Sequence, residues 1–347
     1  MPIQEYKMIP IYQILVKNKS GVSIGEFSSF FNLKYSDVHN YYGVATFSIP
    51  IDSPDAETLI SLRQYDVYII RDGVVRWAGE QVNTDVTIEA NSPNLVTITC
   101  YSFIEQLNGR LTLPYVRYDA TDQAEILKAL VVESQARTNG NFGYTFAPII
   151  ATKQRDREYK LSNIFEAHVN MTNVINGLDI WCDTNRQIHY ASARGEDKSD
   201  SYMLELGVNI HKLTVNDNFS SPANTVFAVG SSDGQDQIIE SYVNAAARST
   251  YLLREQTLSA IDVSESDTLI DKAQDLVNRN KQLVRTISVD QLPNTSPTIA
   301  DVDVGDYIRF KMQKGRYDID LSYRIFGYEC SIGAVGEEYV HYVLGIL

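Results

Sequence analysis

The sequence predicts an α+β fold that is predominantly β, with two β-barrel domains, an intervening α/β domain and a helix within the C-terminal barrel region. Three observations lead to this prediction. Apolar and polar residues alternate in short segments over residues 1–113, and the apolar period then lengthens to about 3.6 residues in two segments. Strand-like alternation returns after residue 211. At 347 residues, the chain is also longer than one hydrophobic core usually serves.

The first segment is predicted to form consecutive strands. Residues 11–16 alternate, glycines at positions 21 and 25 interrupt the pattern, and residues 42–50 form a strand that a proline ends. Residues 55–62 have room for one or two helical turns. The run 62–82 reads as a hairpin around Asp72-Gly73, because an Asp-Gly pair supplies the positive-φ residues that a two-residue turn needs. Residues 86–88 and 95–103, separated by a polar turn at 91–94, complete the set.

The middle segment is predicted to contain two helices and a hairpin. In residues 122–134 the apolar side chains form one stripe, and Asp122 with Glu125 has the spacing of a capping box. A second helix is expected at 163–176, with Gly177 just beyond its end. Residues 179–182 and 187–191 then form the arms of a hairpin.

The last segment returns to strands and carries the longest helical pattern. That helix is predicted at 264–283, where apolar residues lie on one face and charged residues lie off it. Strands are expected at 212–216, 225–230, 238–243, 286–289, 307–312, 323–330 and 339–344. The changes of period predict three domains: an N-terminal barrel at 1–114, an α+β domain at 115–211 and a second barrel at 212–347.

Composition and charge exclude several classes of protein. Hydrophobic residues make up 44% of the chain, which is enough to bury cores, and 22 tyrosines suggest broad, partly buried strand surfaces. The formal net charge of −14 repels phosphate backbones, so we expect no specific binding of nucleic acid. No apolar stretch reaches the roughly 18 residues of a membrane span, and the start lacks a signal-peptide pattern. We therefore expect a soluble protein that is made in a cytoplasm.

The sequence offers no catalytic, cofactor-binding or metal-binding constellation. Residues 301–306 resemble a calcium loop, but the twelfth position is Met312 instead of a bidentate glutamate. Residues 231–236 lack the lysine and glycine spacing of a phosphate loop. Glu337 and Glu338 would face opposite sides of a strand, and the remaining candidates are too scattered for zinc or a disulfide framework: His39, His168, His189, His211, His341, Cys100, Cys182 and Cys330. We expect buried thiols, no cofactor and no enzyme.

The order of several sequence blocks resembles a known family, the tail-hub proteins of long-tailed bacteriophages. This is the siphophage tail-protein family that is related to the baseplate hub of contractile tails. The resemblance covers nearly the whole chain, although each block alone is only a turn between strands. The blocks are GVATFSIPI, LRQYDVYIIRDGVVRWAGEQV, ITCYSFIEQLNGRLTLP, NTVFAVGSSDG, the helix at 264–283, VDVGDYIRF and YRIFGYE.

The resemblance implies a structural, virion-associated protein that is assembled in the host bacterial cytoplasm. It implies a homotrimeric ring whose two barrels per chain approximate sixfold symmetry and join a hexameric tail tube or distal tail ring to a threefold tip. The implied partners are a distal tail or tail tube protein, a tape measure protein and a separate tip, spike or fibre protein, and DNA would pass without specific binding. Two other hypotheses remain: a receptor- or carbohydrate-binding tail protein, suggested by the tyrosines, and a cell-wall hydrolase.

Overall fold

The computed structural model describes residues 9–60, 64–88, 90, 94–150, 152–218, 223–231, 237–261, 263–280 and 284–345. The predicted turn at 91–94, the loop at 231–236 and the last residues of the helix at 264–283 lie largely or partly outside the described residues. No helix in the described ranges is long and apolar enough to cross a membrane.

The described residues of the N-terminal segment form seven strands, one short helix and a closing 3-10 helix. The predicted hairpin is present, and its turn residues Asp72 and Gly73 have φ values of 50° and 77°. In order, the elements are β1 (Tyr12–Lys17), β2 (Ser23–Phe27), β3 (Phe31–Val38), β4 (Val44–Pro50), α1 (Pro54–Ile60), β5 (Asp66–Arg71), β6 (Val74–Thr87), β7 (Leu95–Ser102) and the 3-10 helix Phe103–Gly109.

The middle segment contains the two predicted helices among short strands. Asp122 caps the first helix through the backbone N–H of Ala124, and Asn163 caps the second through that of Glu166. The elements are β8 (Val116–Asp122), α2 (Gln123–Ala136), β9 (Thr145–Phe146), β10 (Gln154–Tyr159), α3 (Ile164–Thr172), β11 (Asp179–Cys182), β12 (Gln187–Ala191) and β13 (Met203–Glu205).

The C-terminal segment consists of long strands and, between β14 and β18, a small insertion of short strands and helices. The elements are β14 (Ile210–Asn218), β15 (Thr225–Val229), β16 (Ile239–Val243), α4 (Ala245–Tyr251), β17 (Glu255–Ser259), α5 (Ser266–Asn280), β18 (Val284–Gln291), β19 (Tyr307–Lys314), β20 (Tyr317–Ile332) and β21 (Glu338–Gly345).

Thirteen strands from both ends of the chain form one continuous sheet. Its order is β14-β18-β21-β20-β3-β4-β7-β6-β5-β1-β2, with β19 paired to β20 and β13 paired to β19. The link between the two ends is the antiparallel pairing of β20 with β3, from Gly327 opposite Val38 to Ser331 opposite Lys34. This sheet does not close into a barrel among the described strands, so the expected arrangement of two barrels is not confirmed.

The length of β20 explains why the two ends are joined. It has 16 residues, more than pair with any one neighbouring strand. Its first half, up to Arg324, pairs with β19. Its second half pairs with β3 on one side and β21 on the other. One hydrophobic core follows the same path. It contains Ile14, Phe47 and Ile98 from the N-terminal strands together with Phe310 and Tyr342 from the C-terminal strands, all buried.

Two smaller cores lie outside the main sheet. The second core belongs to the middle segment and packs α2 and α3 against β11, β12 and the 3-10 helix, with Leu127, Ile164 and Ile188 fully buried. The third core belongs to the insertion, where α5 covers one face of the sheet β16-β15-β17 through Leu269, Ala273 and Val277. The apolar stripe predicted for the long helix is therefore its buried face.

Several local expectations were wrong. Gly25 lies inside β2 and does not interrupt the strands, and residues 86–87 are the end of β6 instead of the start of a new strand. The second helix ends at Thr172, and Asn176 (φ 55°), not Gly177, takes the positive-φ conformation after it. Gly177 is needed for a different reason, because a Cβ at this position would lie 2.7–2.9 Å from three backbone carbonyl oxygens near the helix end.

Candidate functional site at the junction of the sheet and the middle segment

The aspartate side chains of the acidic run at 301–306 accept hydrogen bonds from backbone N–H groups. The carboxylate of Asp301 accepts a hydrogen bond from the backbone N–H of Thr298 (2.8 Å). The carboxylate of Asp306 accepts from the backbone N–H groups of Glu196 and Asp303, both at 2.8 Å. Over the described ranges, no group of three or more His, Cys, Asp or Glu side chains could hold a metal ion. These carboxylates fix the loop that leads into β19.

The histidines are dispersed over the fold. His168 is buried, with its ring nitrogens 2.7 Å from the carbonyl oxygen of Ile164 and 2.9 Å from the hydroxyl of Tyr190. Burial lowers the pKa of His168 to about 4, so the ring is neutral at pH 7. His189 stacks on Trp181, with ring centroids 4.7 Å apart.

The thiols are separate from one another and free. Cys100 and Cys330 are fully buried in the main core, whereas Cys182 is partly exposed. Burial and the nearby Glu338 raise the pKa of Cys330 to about 12, which keeps it as an unreactive thiol at pH 7.

The most highly connected buried charge in this part of the fold is Asp179, at the start of β11. Its Oδ2 accepts hydrogen bonds from the guanidinium of Arg324 (2.5 Å) and from the backbone N–H of Arg194 (2.7 Å). Its Oδ1 lies 3.1 Å from Nδ2 of Asn40 and 3.1 Å from Nε2 of His39. One carboxylate thus joins the middle segment to β20 and to the turn after β3.

The charges around Asp179 are arranged to keep it ionised. Burial alone would raise the pKa of Asp179, but the hydrogen bonds from His39, Arg324 and the backbone of Arg194 outweigh it, so its pKa lies well below the ordinary value. Arg324 is only 3% exposed, and its Nε and Nη2 also donate to the carbonyl oxygens of Gly305 (3.0 Å) and Arg194 (2.7 Å). Both charged groups of this buried pair therefore have further hydrogen-bond partners besides each other.

Arg194 extends this network of contacts around Asp179 to strand β3 of the main sheet. Its Nη2 lies 2.6 Å from Oδ2 of Asp37 on β3 and 3.4 Å from Oδ1 of Asp303, and its guanidinium lies 5.4 Å from the centre of the Trp181 ring. The next residue, Gly195, packs directly on Gly305: a Cβ at Gly195 would lie 2.1 Å from the carbonyl carbon of Gly305. The two backbones can approach this closely only because neither carries a side chain.

A second buried cluster joins the two ends of the main sheet. The guanidinium of Arg71 on β5 binds both carboxylate oxygens of Glu338 on β21, at 2.6 and 3.1 Å. The hydroxyl of Tyr12 also donates to Glu338 and lies 2.9 Å from the hydroxyl of Tyr35. Glu338 is 3% exposed, so this is a bidentate pair inside the protein. Glu337 lies outside the core and bonds to the adjacent turn at Val335.

A third cluster joins the middle segment to the insertion. Asp271 on α5 binds Nη1 of Arg155 at 2.6 Å and also binds the ammonium of Lys153. Arg155 additionally donates to the carbonyl oxygen of Ile175 and to Oε1 of Gln123. The arginine side chain is 1% exposed, and burial lowers its pKa despite the bond to Asp271.

These three clusters hold parts of the chain together and offer no nucleophile activated by a base. Asp179 and Arg324 were not singled out from the sequence, because their partners lie far away along the chain. Glu338 was considered there only as a carboxylate next to Glu337, and its partner Arg71 was not foreseen. The only sequence signal that bears on them is the presence of charged residues within apolar strand patterns, which indicates a buried partner but does not identify it.

Comparisons with solved structures identify the fold. The tail protein from Neisseria meningitidis MC58 matches with a TM-score of 0.68 and 13% identity, over 96% of each chain. The 43 kDa tail protein of prophage MuSo2 from Shewanella oneidensis matches with a TM-score of 0.67 and 10% identity, over 96% of this chain and 98% of that one. The prophage tail protein gp18 from Listeria monocytogenes EGD-e matches with a TM-score of 0.60 and 12% identity, over 95% and 94%.

Sequence comparison alone does not reach these proteins. No family model and no curated protein matches the chain. The resemblance inferred from the order of the sequence blocks is nevertheless confirmed at the level of structure. Over nearly its whole length, this chain has the fold of bacteriophage tail proteins.

Proposed function

We propose that the chain is a structural hub protein of a phage tail tip or baseplate and that it performs no catalysis. The observation that carries the proposal is the likeness to three phage tail proteins over at least 94% of either chain in each comparison. A single sheet joins both ends of the chain, and the buried pairs Asp179–Arg324 and Arg71–Glu338 reinforce it. Such a rigid architecture suits a structural component of an assembly.

In this proposal the protein forms a homotrimeric ring in the virion. The N-terminal and C-terminal parts of each chain act as two barrel-like halves that match a hexameric tube or distal tail ring above and a threefold tip below. The division into domains at 1–114, 115–211 and 212–347 belongs to the same proposal. A tape measure protein and a separate tip, spike or fibre protein are its further partners, and the protein is assembled in the cytoplasm of the host.

The charge supports passage of DNA through such a ring. Each chain carries a formal net charge of −14, so a ring of three would repel a phosphate backbone instead of binding it. A structure of the ring tests this part directly: an acidic or neutral lumen is expected, and a basic lumen would contradict free passage.

The experiment for the whole proposal is to locate the chain in assembled particles. An epitope inserted at Gly315, in the exposed turn between β19 and β20, leaves the core untouched. Electron microscopy of labelled particles is expected to show three labels around the tail axis at its distal end. Labels on a peripheral fibre, or six labels around the axis, would reject the trimeric hub. The mass of the isolated ring, three times 39.1 kDa, is a second readout, although subunits of a ring can remain monomeric until they assemble.

The aromatic residues favour this structural role over binding of a receptor or carbohydrate. Nine tyrosines are buried in the cores, and Trp77 is 4% exposed with its Nε1 bonded to the carbonyl oxygen of Ser36. In the described part of the chain, the exposed tyrosines are distributed over different segments: Tyr41, Tyr115, Tyr251, Tyr317 and Tyr339. A glycan array without binding would agree with this assignment.

A further inference from the structure

One groove of the molecule lies beside the third cluster and shares Lys153 and Gln123 with it. It encloses about 950 Å³ between residues 147–150 and 152–154 on one side and residues 189–193 on the other, with Trp181 and Asn176 also in its wall. This volume lies within the range of about 300–1,000 Å³ that binding pockets usually have. The groove is therefore large enough for part of another molecule.

One wall of the groove is the edge of strand β12. On one side, β12 pairs with β11 as far as Ala191 opposite Asp179. On the other side it pairs with β9 only at Gln187 and Ile188, and the last bond runs from the N–H of Ala147 to the carbonyl oxygen of Ile188 (2.9 Å). The next residue, Pro148, has no N–H to continue the ladder, and the chain turns away from β12 there.

The backbone of Tyr190 faces into the space that this divergence leaves. In an antiparallel pair, hydrogen-bonding residues alternate along the strand. Gln187 bonds to Asp183 across the hairpin, whereas Arg186 and Ile188 accept bonds from the β9 side. By the same alternation, the N–H and C=O of Tyr190 point away from β11, towards the groove.

The side chains that line the groove include several apolar groups and one lysine. Ile150 is 82% exposed, and with Pro148 and Trp181 it gives the groove an apolar wall. None of the described residues that line the groove is Asp or Glu, in a chain that has 44 of them. Lys153 is the one Lys or Arg among the described residues that line the groove, and its ammonium also binds Asp271 beside the groove.

We propose that this groove binds an extended peptide segment of a partner protein. The peptide adds as a strand along β12 and bonds to the backbone of Tyr190. An apolar side chain of the peptide contacts Ile150 and Trp181, and a carboxylate of the peptide lies near Lys153. Addition of a strand to an open sheet edge is a recurring mode of peptide recognition, in which backbone bonds give affinity and alternate side chains give specificity. The proposal goes beyond the hub role and does not depend on the trimer.

The test uses the full-length protein and a displayed library of random octapeptides as the probe. Selected peptides are expected to carry apolar residues at alternate positions and at least one carboxylate. Replacing Ile150 by Glu (I150E) should weaken their binding at least tenfold, because it removes the apolar wall and adds a repelling charge. The matched control is I261E, since Ile261 is also exposed (73%) but lies in the insertion. It should bind as the unaltered protein does.

A second measurement tests the mode of binding. Hydrogen exchange at residues 189–192 should slow when a selected peptide binds, because Tyr190 gains backbone partners. The variant K153Q should lose several-fold more affinity for carboxylate peptides than for their amide analogues. Equal binding by I150E and I261E, exchange at 189–192 that the peptide leaves unchanged, or a library without enriched sequences would each overturn the proposal. None of these outcomes bears on whether the chain forms a trimeric hub.

Discussion

Replacing Asp179 by Asn tests whether the buried junction stabilises the fold. The amide has nearly the same shape as the carboxylate, so the substitution removes charge without creating a cavity. Arg324, 3% exposed, would keep its charge inside the protein and lose its only carboxylate partner among the described contacts. Removing one partner of a buried pair costs about 3–5 kcal/mol, and we expect D179N to lower the free energy of unfolding by about this amount.

Urea unfolding followed by tryptophan fluorescence measures this loss, and Trp181 on the same strand reports on the junction. The control is D119N, because Asp119 pairs with Arg117 at the surface, where the two side chains are 65% and 40% exposed. An exposed pair contributes little to stability, so D119N should remain close to the unaltered protein. The double variant D179N/R324M should lose less stability than the two single losses added together, since it leaves no unpaired charge. Equal midpoints for D179N and D119N would refute the reasoning.

Three further predictions concern sterics, pH and thiol reactivity. G195A should lower the free energy of unfolding by about 2–5 kcal/mol, because its Cβ would clash with backbone at a φ of +90°; G21A, at a φ of +77° with open space around it, should lose about 1 kcal/mol. The pKa of His168 is about 4 in the folded protein and about 6.5 in the unfolded chain, so its contribution to stability is complete above pH 6.5 and is lost as the pH falls towards 4. The free energy of unfolding, measured with urea, should fall by about 2 kcal/mol between pH 7 and pH 5, and a His168→Phe variant should lack this loss. Cys100 and Cys330 should resist a thiol reagent in the native protein and react once it is unfolded, as a spectrophotometric titration would show; modification of either under native conditions would contradict their burial.

Local patterns predicted individual elements well where short-range chemistry decides the outcome. The Asp72-Gly73 turn, the cap at Asp122, the start of the second helix at Asn163 and the hairpin β11–β12 all lie where the sequence places them. These features depend on residues that are within a few positions of one another. The likeness to phage tail proteins was also accessible, because it depends on the order of such features along the chain.

The arrangement of the main sheet could not be predicted in the same way. Strand β3 was missed because its polar residues and Asn32 (φ 54°) obscure the alternation, yet β3 is the strand that pairs with β20. Without it, the two ends of the chain look like independent barrels. The junction at Asp179 was equally inaccessible, because its partner Arg324 comes from another part of the fold and no local pattern connects them.

The pairing of β3 with β20 also has a consequence for synthesis of the protein. The ribosome adds about 5–20 residues per second, so β20 follows β3 by on the order of tens of seconds. During that interval β4 can already cover one edge of β3, but the other edge has no native partner. An open strand edge is a template for association with other chains. The nascent chain therefore passes through a stage in which one edge of β3 is open to pairing with another chain, and this stage ends only when β20 is made.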